Sequence, residues 1–181
     1  MRRDARERRE ALIIAAAECF SEFGYAVPLE DIADRAGVGR GTLYRNFKDR
    51  MALALAVFDR DLDHWHDKID QSQPLKEVIL DIILRGAKAS ALFTRLAIEV
   101  PIKEEDVSGF HALGERVRAI LKPIVEKAQA DGVLRPEIGP NEILLAMRMV
   151  SSLMIPKMTN KEVKYTSEEA LDLLMRGLMP G

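Results

Sequence analysis

Apolar residues recur along this chain at the three- and four-residue spacing of helices, and glycine and proline stand where those helices should stop. In REALIIAAAECFSEFG the set Leu12, Ile13, Ala16, Ala17, Phe20 and Phe23 predicts one helical face, followed by Gly24 where a left-handed cap is wanted. Pro28 suits the start of a second helix carrying Leu29, Ile32, Ala33 and Ala36, which Gly37 ends after only about nine residues. A third short helix is predicted from about Arg40 to Phe47, and Asp49 can cap a fourth that carries Met51, Leu53, Leu55 and Phe58. Leu75, Val78, Ile79, Ile82 and Ile83 predict a helix from Pro74, and Ala91 to Glu99 a shorter one before Pro101. A long helix with Phe110, Leu113, Val117, Ile120, Leu121, Ile124 and Val125 holds Pro123, which predicts a kink. The stretch ADGVLRPEIGP must turn. Two further helices are expected, from Pro140 to about Ile155 and from about Ser167 to Met179, the latter with Thr166 and Glu169 at capping-box spacing. No alternating stretch argues for a sheet, so the expected fold is all-α.

Composition narrows the setting without naming a function. The 181 residues are 48% apolar, enough for a real core, and the formal charge is −2, so any affinity for nucleic acid must come from local clustering. Cys19 is the sole cysteine, which excludes an internal disulfide and suits a reducing cytoplasm, with Cys19 itself read as a small buried side chain. No apolar run is long enough for a membrane helix, and MRRDARERRE lacks the apolar core of a signal peptide; it reads as a mildly basic arm before the first helix.

Charge does cluster in AGVGRGTLYRNFKDR. Residues 35 to 50 hold Arg35, Arg40, Arg45, Lys48 and Arg50 against Asp49 alone, a net +4. On a helical wheel Leu43 and Phe47 point inward, while Gly41, Arg45 and Lys48 point outward, flanked by Thr42 and Tyr44. Such a helix offers guanidinium, ammonium, hydroxyl and phenol groups to base edges and phosphates in a major groove. Gly37 can take a positive φ between the two short helices, and Gly41 leaves room for a DNA backbone. A basic face alone is commonly just solvated, and helix-turn-helix geometry also occurs in proteins that never touch DNA.

The run FSEFGYAVPLEDIADRAGVGRGTLYRNFKDRMAL, residues 20 to 54, resembles the DNA-binding domain of the TetR family of bacterial transcriptional regulators. The resemblance implies an N-terminal three-helix head over residues 1–48 and a helical ligand-binding and dimerisation domain over 49–181, joined by the helix from Asp49. It implies DNA contacts from Arg40, Gly41, Thr42, Tyr44, Arg45, Asn46 and Lys48, and a homodimer that a small molecule releases from its operator. Two departures from the family pattern stand out. Val27 and Pro28 replace the usual hydroxyl residue before the second helix, and Gly39 replaces the serine before the third. AQADGVLRPEIGPNEI is similar to the loop before the family's penultimate helix, which makes the last two helices the dimerising pair.

Their apolar residues Ile143, Leu144, Met147, Val150, Leu171, Leu174 and Met175 are the expected subunit interface. An apolar pocket walled by Trp65, Ile83, Phe93, Phe110, Leu113 and Val117 is expected to favour an apolar or aromatic effector. Arg95 and Glu99 form either a surface pair or part of that cavity. His64 and His66 flank Trp65 at a spacing that cannot chelate on a helix, so no metal and no cofactor is expected. Hydrolase and phosphate-loop motifs are absent, which argues against an enzyme. The expected function is a cytoplasmic, ligand-responsive repressor that binds a palindromic operator as a dimer. The alternative is a dimeric small-molecule-binding module without specific DNA binding, against which the basic face argues.

Overall fold

The computed structural model describes the backbone of residues 2–66, 68–70, 72–85, 104–153 and 158–178. Eight helices occur among them and no strand. They are α1 (Arg2–Phe23), α2 (Leu29–Arg35), α3 (Arg40–Asn46), α4 (Arg50–His66), α5 (75–85), α6 (Glu104–Ala130), α7 (Pro140–Ser152) and α8 (Asn160–Leu178). The chain divides into two compact units, one of Met1–Asp61 with Arg95–Leu113 and one of Leu62–Thr94 with Gly114–Gly181. The expected helix over 91–99, with Phe93, Arg95 and Glu99, lies outside the described residues.

In the first unit α1 packs on both α2 and α3, which also pack on each other. Leu12, Ile13, Ala16 and Phe20 are buried as their spacing predicts, together with Ala15 and Cys19. Burial raises the Cys19 thiol pKa, with the nearby Arg35 guanidinium opposing the shift. Phe23 departs from the expectation: it is 63% exposed and lies under the Arg35 guanidinium at 5.5 Å. The chain turns immediately afterwards at Gly24 (φ 81°), so Phe23 sits at the end of the helix, past the partners that cover Phe20. The supposed arm is also helix, since α1 begins at Arg2; its Arg, Glu and Ala residues are strong helix formers, and Arg8 Nε bonds Asp4 O at 3.1 Å. Asp49 caps α4 as predicted, its Oδ1 accepting from Ala52 N at 2.8 Å.

The second unit has one apolar core. Leu75, Val78, Ile79, Ile82 and Ile83 of α5 meet Leu121, Ile124 and Val125 of α6 and the inner faces of α7 and α8. α6 continues through Pro123. The turn over 131–139 starts at Gly132 (φ 69°) and sends Leu134 and Ile138 into this core, while Gln129 Nε2 holds the turn by donating to Pro136 O and Ile138 O.

Six of the seven residues expected at a subunit interface, Ile143, Leu144, Met147, Val150, Leu171 and Met175, are buried in this same core, and Leu174 packs half-buried against it. Within one chain α7 and α8 pair through those faces. The apolar residues left outside are Leu145, Met149 and Leu153, at four-residue spacing, with Tyr165 and Leu173 on α8.

α8 starts seven residues before its expected position. The chain contains the T-x-x-E spacing twice, and the earlier copy forms the cap: Thr159 N and Oγ1 donate to Glu162 Oε2, both at 2.7 Å, and Glu162 N donates to Thr159 Oγ1 at 3.3 Å. Thr166 is an interior helical position, next to the buried Ser167 whose hydroxyl bonds Val163 O. The hydrogen bonds from the Thr159 backbone and then its hydroxyl lower the Glu162 pKa. A lowered carboxylate pKa adds stability that is complete above its ordinary value and is lost as pH falls through the lowered one. Thr159→Ala should therefore lower stability at neutral pH. The gap to wild type should narrow below about pH 4, measured by urea unfolding across pH.

Candidate nucleic-acid interface

α3 is seven residues long, too short to persist alone, and is held by Leu43 and Phe47, which are 1% and 3% exposed. Gly37 (φ 68°) makes the turn before it, as its position predicts, and its amide bonds Asp34 O at 3.0 Å. Gly39 is the N-cap and supplies no side-chain hydrogen bond; neither does Pro28 at α2, while Val27 is buried. Both departures from the family pattern thus leave helix starts without a hydroxyl.

With two residues inward, the rest of the segment faces water. Arg40, Gly41, Tyr44, Arg45 and Lys48 are exposed, and Thr42 and Asn46 half-buried. Arg45 Nη2 donates to Thr42 Oγ1 at 3.1 Å, so the residue one turn earlier restrains the guanidinium at the middle of the face. Asn46 Nδ2 donates to Thr42 O at 2.8 Å and closes the last turn. Arg40 lies 3.6 Å from Glu30 of α2, and Lys48, beyond the helix end, lies 3.7 Å from Asp49. A Cβ placed on Gly41 would meet only Arg45 Nη1, at an ordinary 3.7 Å. The fold itself has space for a side chain at Gly41, so an open surface at that point is not a packing requirement.

The cationic cluster is smaller on the surface than along the sequence. Arg35 turns toward α1, 3.0 Å from Glu22 and 3.9 Å from Glu18, and the Glu22 hydrogen bond raises its pKa further. Arg50 turns inward onto main-chain oxygens of Tyr25 and Val27. Arg40, Arg45 and Lys48 remain, and Arg9 joins them from α1 with its guanidinium 4.8 Å from the Phe47 ring centre. Sequence reasoning missed Arg9 as an individual residue, although the arginine-rich start of the chain was its signal.

Of the expected pocket residues that the structure describes, three fall in the second unit and two in the first. Ile83 is in the core of the second unit, with Trp65 and Val117 packed against it; Leu113 is buried and Phe110 half-buried in the first unit. A cleft of about 280 Å³ in the second unit lies elsewhere, among Ile69, Val78, Leu80 and Leu84 with Lys68, Glu77, Arg85 and Lys164 at its sides.

Comparison with known proteins agrees with this geometry. The pattern for "Bacterial regulatory proteins, tetR family" matches residues 12–57. The HTH-type transcriptional activator FasR of Mycolicibacterium smegmatis is 48% identical over 59 residues, 32% of this chain and 27% of that protein. The chain spans 27% to 50% of the length of the curated relatives it matches. A TetR transcriptional regulator from Streptomyces coelicolor has the same fold with a TM-score of 0.65 at 26% identity, covering 95% of this chain and 98% of that one. FadR from Bacillus subtilis, solved in complex with stearoyl-CoA, shares the fold with a TM-score of 0.69 at 19% identity, covering 93% and 98%. Among the described residues no helix is long and apolar enough to cross a membrane.

The forked guanidinium of Arg45 suits guanine O6 and N7, whereas the Lys48 ammonium suits a phosphate. Arg45→Ala should cost about 1–3 kcal/mol of binding and relax preference at particular base pairs. Lys48→Ala should weaken all duplexes alike and lower the salt slope by about one per head. Thr42→Val, which frees the guanidinium, should lose part of the same discrimination and be non-additive with Arg45→Ala. Titrations on specific and scrambled duplexes at several salt concentrations separate the three; equal losses on both duplexes for Arg45→Ala would make its role electrostatic only.

Proposed function

We propose that the chain is a member of the TetR family of bacterial regulatory proteins and, within it, a cytoplasmic, ligand-responsive repressor that binds a palindromic operator as a homodimer. The observation that carries this reading is the α3 face: Arg40, Tyr44 and Arg45 are exposed on a helix anchored by two buried residues behind a glycine turn, and Lys48 is exposed just past its end. A rigid helix with such groups outward can enter a major groove, and Arg9 adds a cation beside its end. The second unit is proposed to sense a small apolar or aromatic molecule, with Trp65 and Val117 against its core as candidate contacts. FadR, of the same fold, was solved with stearoyl-CoA, whose acyl chain is a precedent for an apolar group bound on this fold. The activator FasR matches over 32% of this chain, too little to set the sign of control.

Selection from random duplex DNA with purified protein tests the reading. An enriched palindrome with half-sites one helical turn or a multiple apart is the expected result. No enrichment at low salt would leave a helical ligand-binding dimer without a DNA site.

We infer a dimer surface from the pattern of burial. Leu145 and Met149 on α7, Leu153 at its C-cap, and Leu173 and Tyr165 on α8 are exposed, whereas the neighbours first expected there already fill the core. Leu145→Asp with Leu173→Asp should give folded monomers in sedimentation at micromolar concentration. Ile143→Ala should instead cost about 2–5 kcal/mol of stability while the folded protein stays dimeric. A monomeric wild type would refute this assignment.

A further inference from the structure

Arg50 counts among the cations of the basic stretch, yet its side chain leaves that face. Its Nη1 donates to the main-chain oxygen of Tyr25 at 2.6 Å and to that of Val27, and its guanidinium carbon lies 5.4 Å from the centre of the Tyr25 ring. Both oxygens belong to the turn that opens at Gly24 and closes at Pro28, the residue before α2. Arg50 is the first residue of α4, three residues after the extended Phe47 that ends α3. One guanidinium therefore ties the entrance of α2 to the exit of α3.

Between those two points lies the whole helix-turn-helix. Its two helices are seven residues each, neither has a side-chain cap, and their joint is Gly37, the residue type least resistant to backbone rotation. Few buried side chains hold the pair: Ile32 and Ala33 on α2, Leu43 on α3 and Phe47 at its end. A charged donor on two carbonyls, stacked on an aromatic ring, is a strong and directional tie by comparison.

We propose that Arg50 is a positioning residue for DNA binding: without touching DNA, it fixes the α2–α3 angle so that Arg40, Arg45 and Lys48 meet a duplex together. The proposal rests on the reading of α3 as a recognition helix, and two measurements keep the two claims apart. In the free protein, Arg50→Met removes the donors but keeps an apolar stem, and hydrogen exchange should quicken at amides of residues 25–32 while the helical circular dichroism is kept. On the duplex recovered by selection, the same variant should bind about tenfold more weakly, the scale of one charged hydrogen bond, with the wild-type salt slope unchanged. Arg50→Lys, whose ammonium can still donate to both carbonyls, should recover most of the loss. A salt slope lowered by about two per dimer would make Arg50 a phosphate contact and overturn the proposal. Unchanged exchange, or unchanged affinity in a variant whose turn has loosened, would overturn it as well. A wild type that enriches no duplex would overturn the reading beneath it, and the exchange measurement would still report whether the tie exists.

Discussion

The site depends on the burial of Leu43 and Phe47. A seven-residue helix forms too few internal hydrogen bonds to meet its nucleation cost, so α3 exists because these two side chains dock on α1 and α2. That requirement explains the shape of the first unit. α1 is long and apolar on one side, with Leu12, Ile13, Ala16 and Phe20 buried, because it supplies the surface on which two short helices rest. Since two residues of α3 and its cap suffice for docking, the remaining positions are released from packing. Arg9 over Phe47 also shields the outer anchor with a cation rather than with more apolar surface, so docking and positive charge meet at one point.

The surface ion pairs carry a different part of the load. Pairs such as Arg35 with Glu22, Lys76 with Asp172 and Arg116 with Asp63 are solvated and stabilise little individually. Their effect in the head is directional: Arg35 is drawn toward α1 and away from the exposed face, which concentrates that face around Arg45. Cohesion of the second unit comes from its continuous core, into which the turn after α6 contributes Leu134 and Ile138 as fully as the helices do.

Features whose cause is local were legible in the sequence. Gly24, Gly37 and Gly132 take positive φ, Asp49 caps α4, and Leu43 and Phe47 face inward, because turn and cap chemistry is decided within a few residues. Features whose cause is distant were not. Arg35, Arg45 and Arg50 are alike in sequence, and only the positions of Glu22, Thr42 and the Tyr25 carbonyl decide which remains on the α3 face. The repeated T-x-x-E spacing offers two caps of equal quality, and nothing nearby chooses between Thr159 and Thr166. Ile143 and Leu145 show the same limit. An apolar residue on a periodic helix is destined for burial, but periodicity alone does not say whether its partner is the same chain or another. Of the expected pocket, Trp65, Ile83 and Val117 come together at one core, a grouping that depended on helix packing rather than on any motif.

The central claim is that the chain meets duplex DNA through the exposed side of α3. The most direct measurement is the amide spectrum of isotopically labelled protein with and without the selected duplex. The largest shifts are expected at Gly39 to Lys48, with a second set at the first turns of α1 around Arg9. Shifts confined to other helices, with α3 unmoved at saturation, would contradict it.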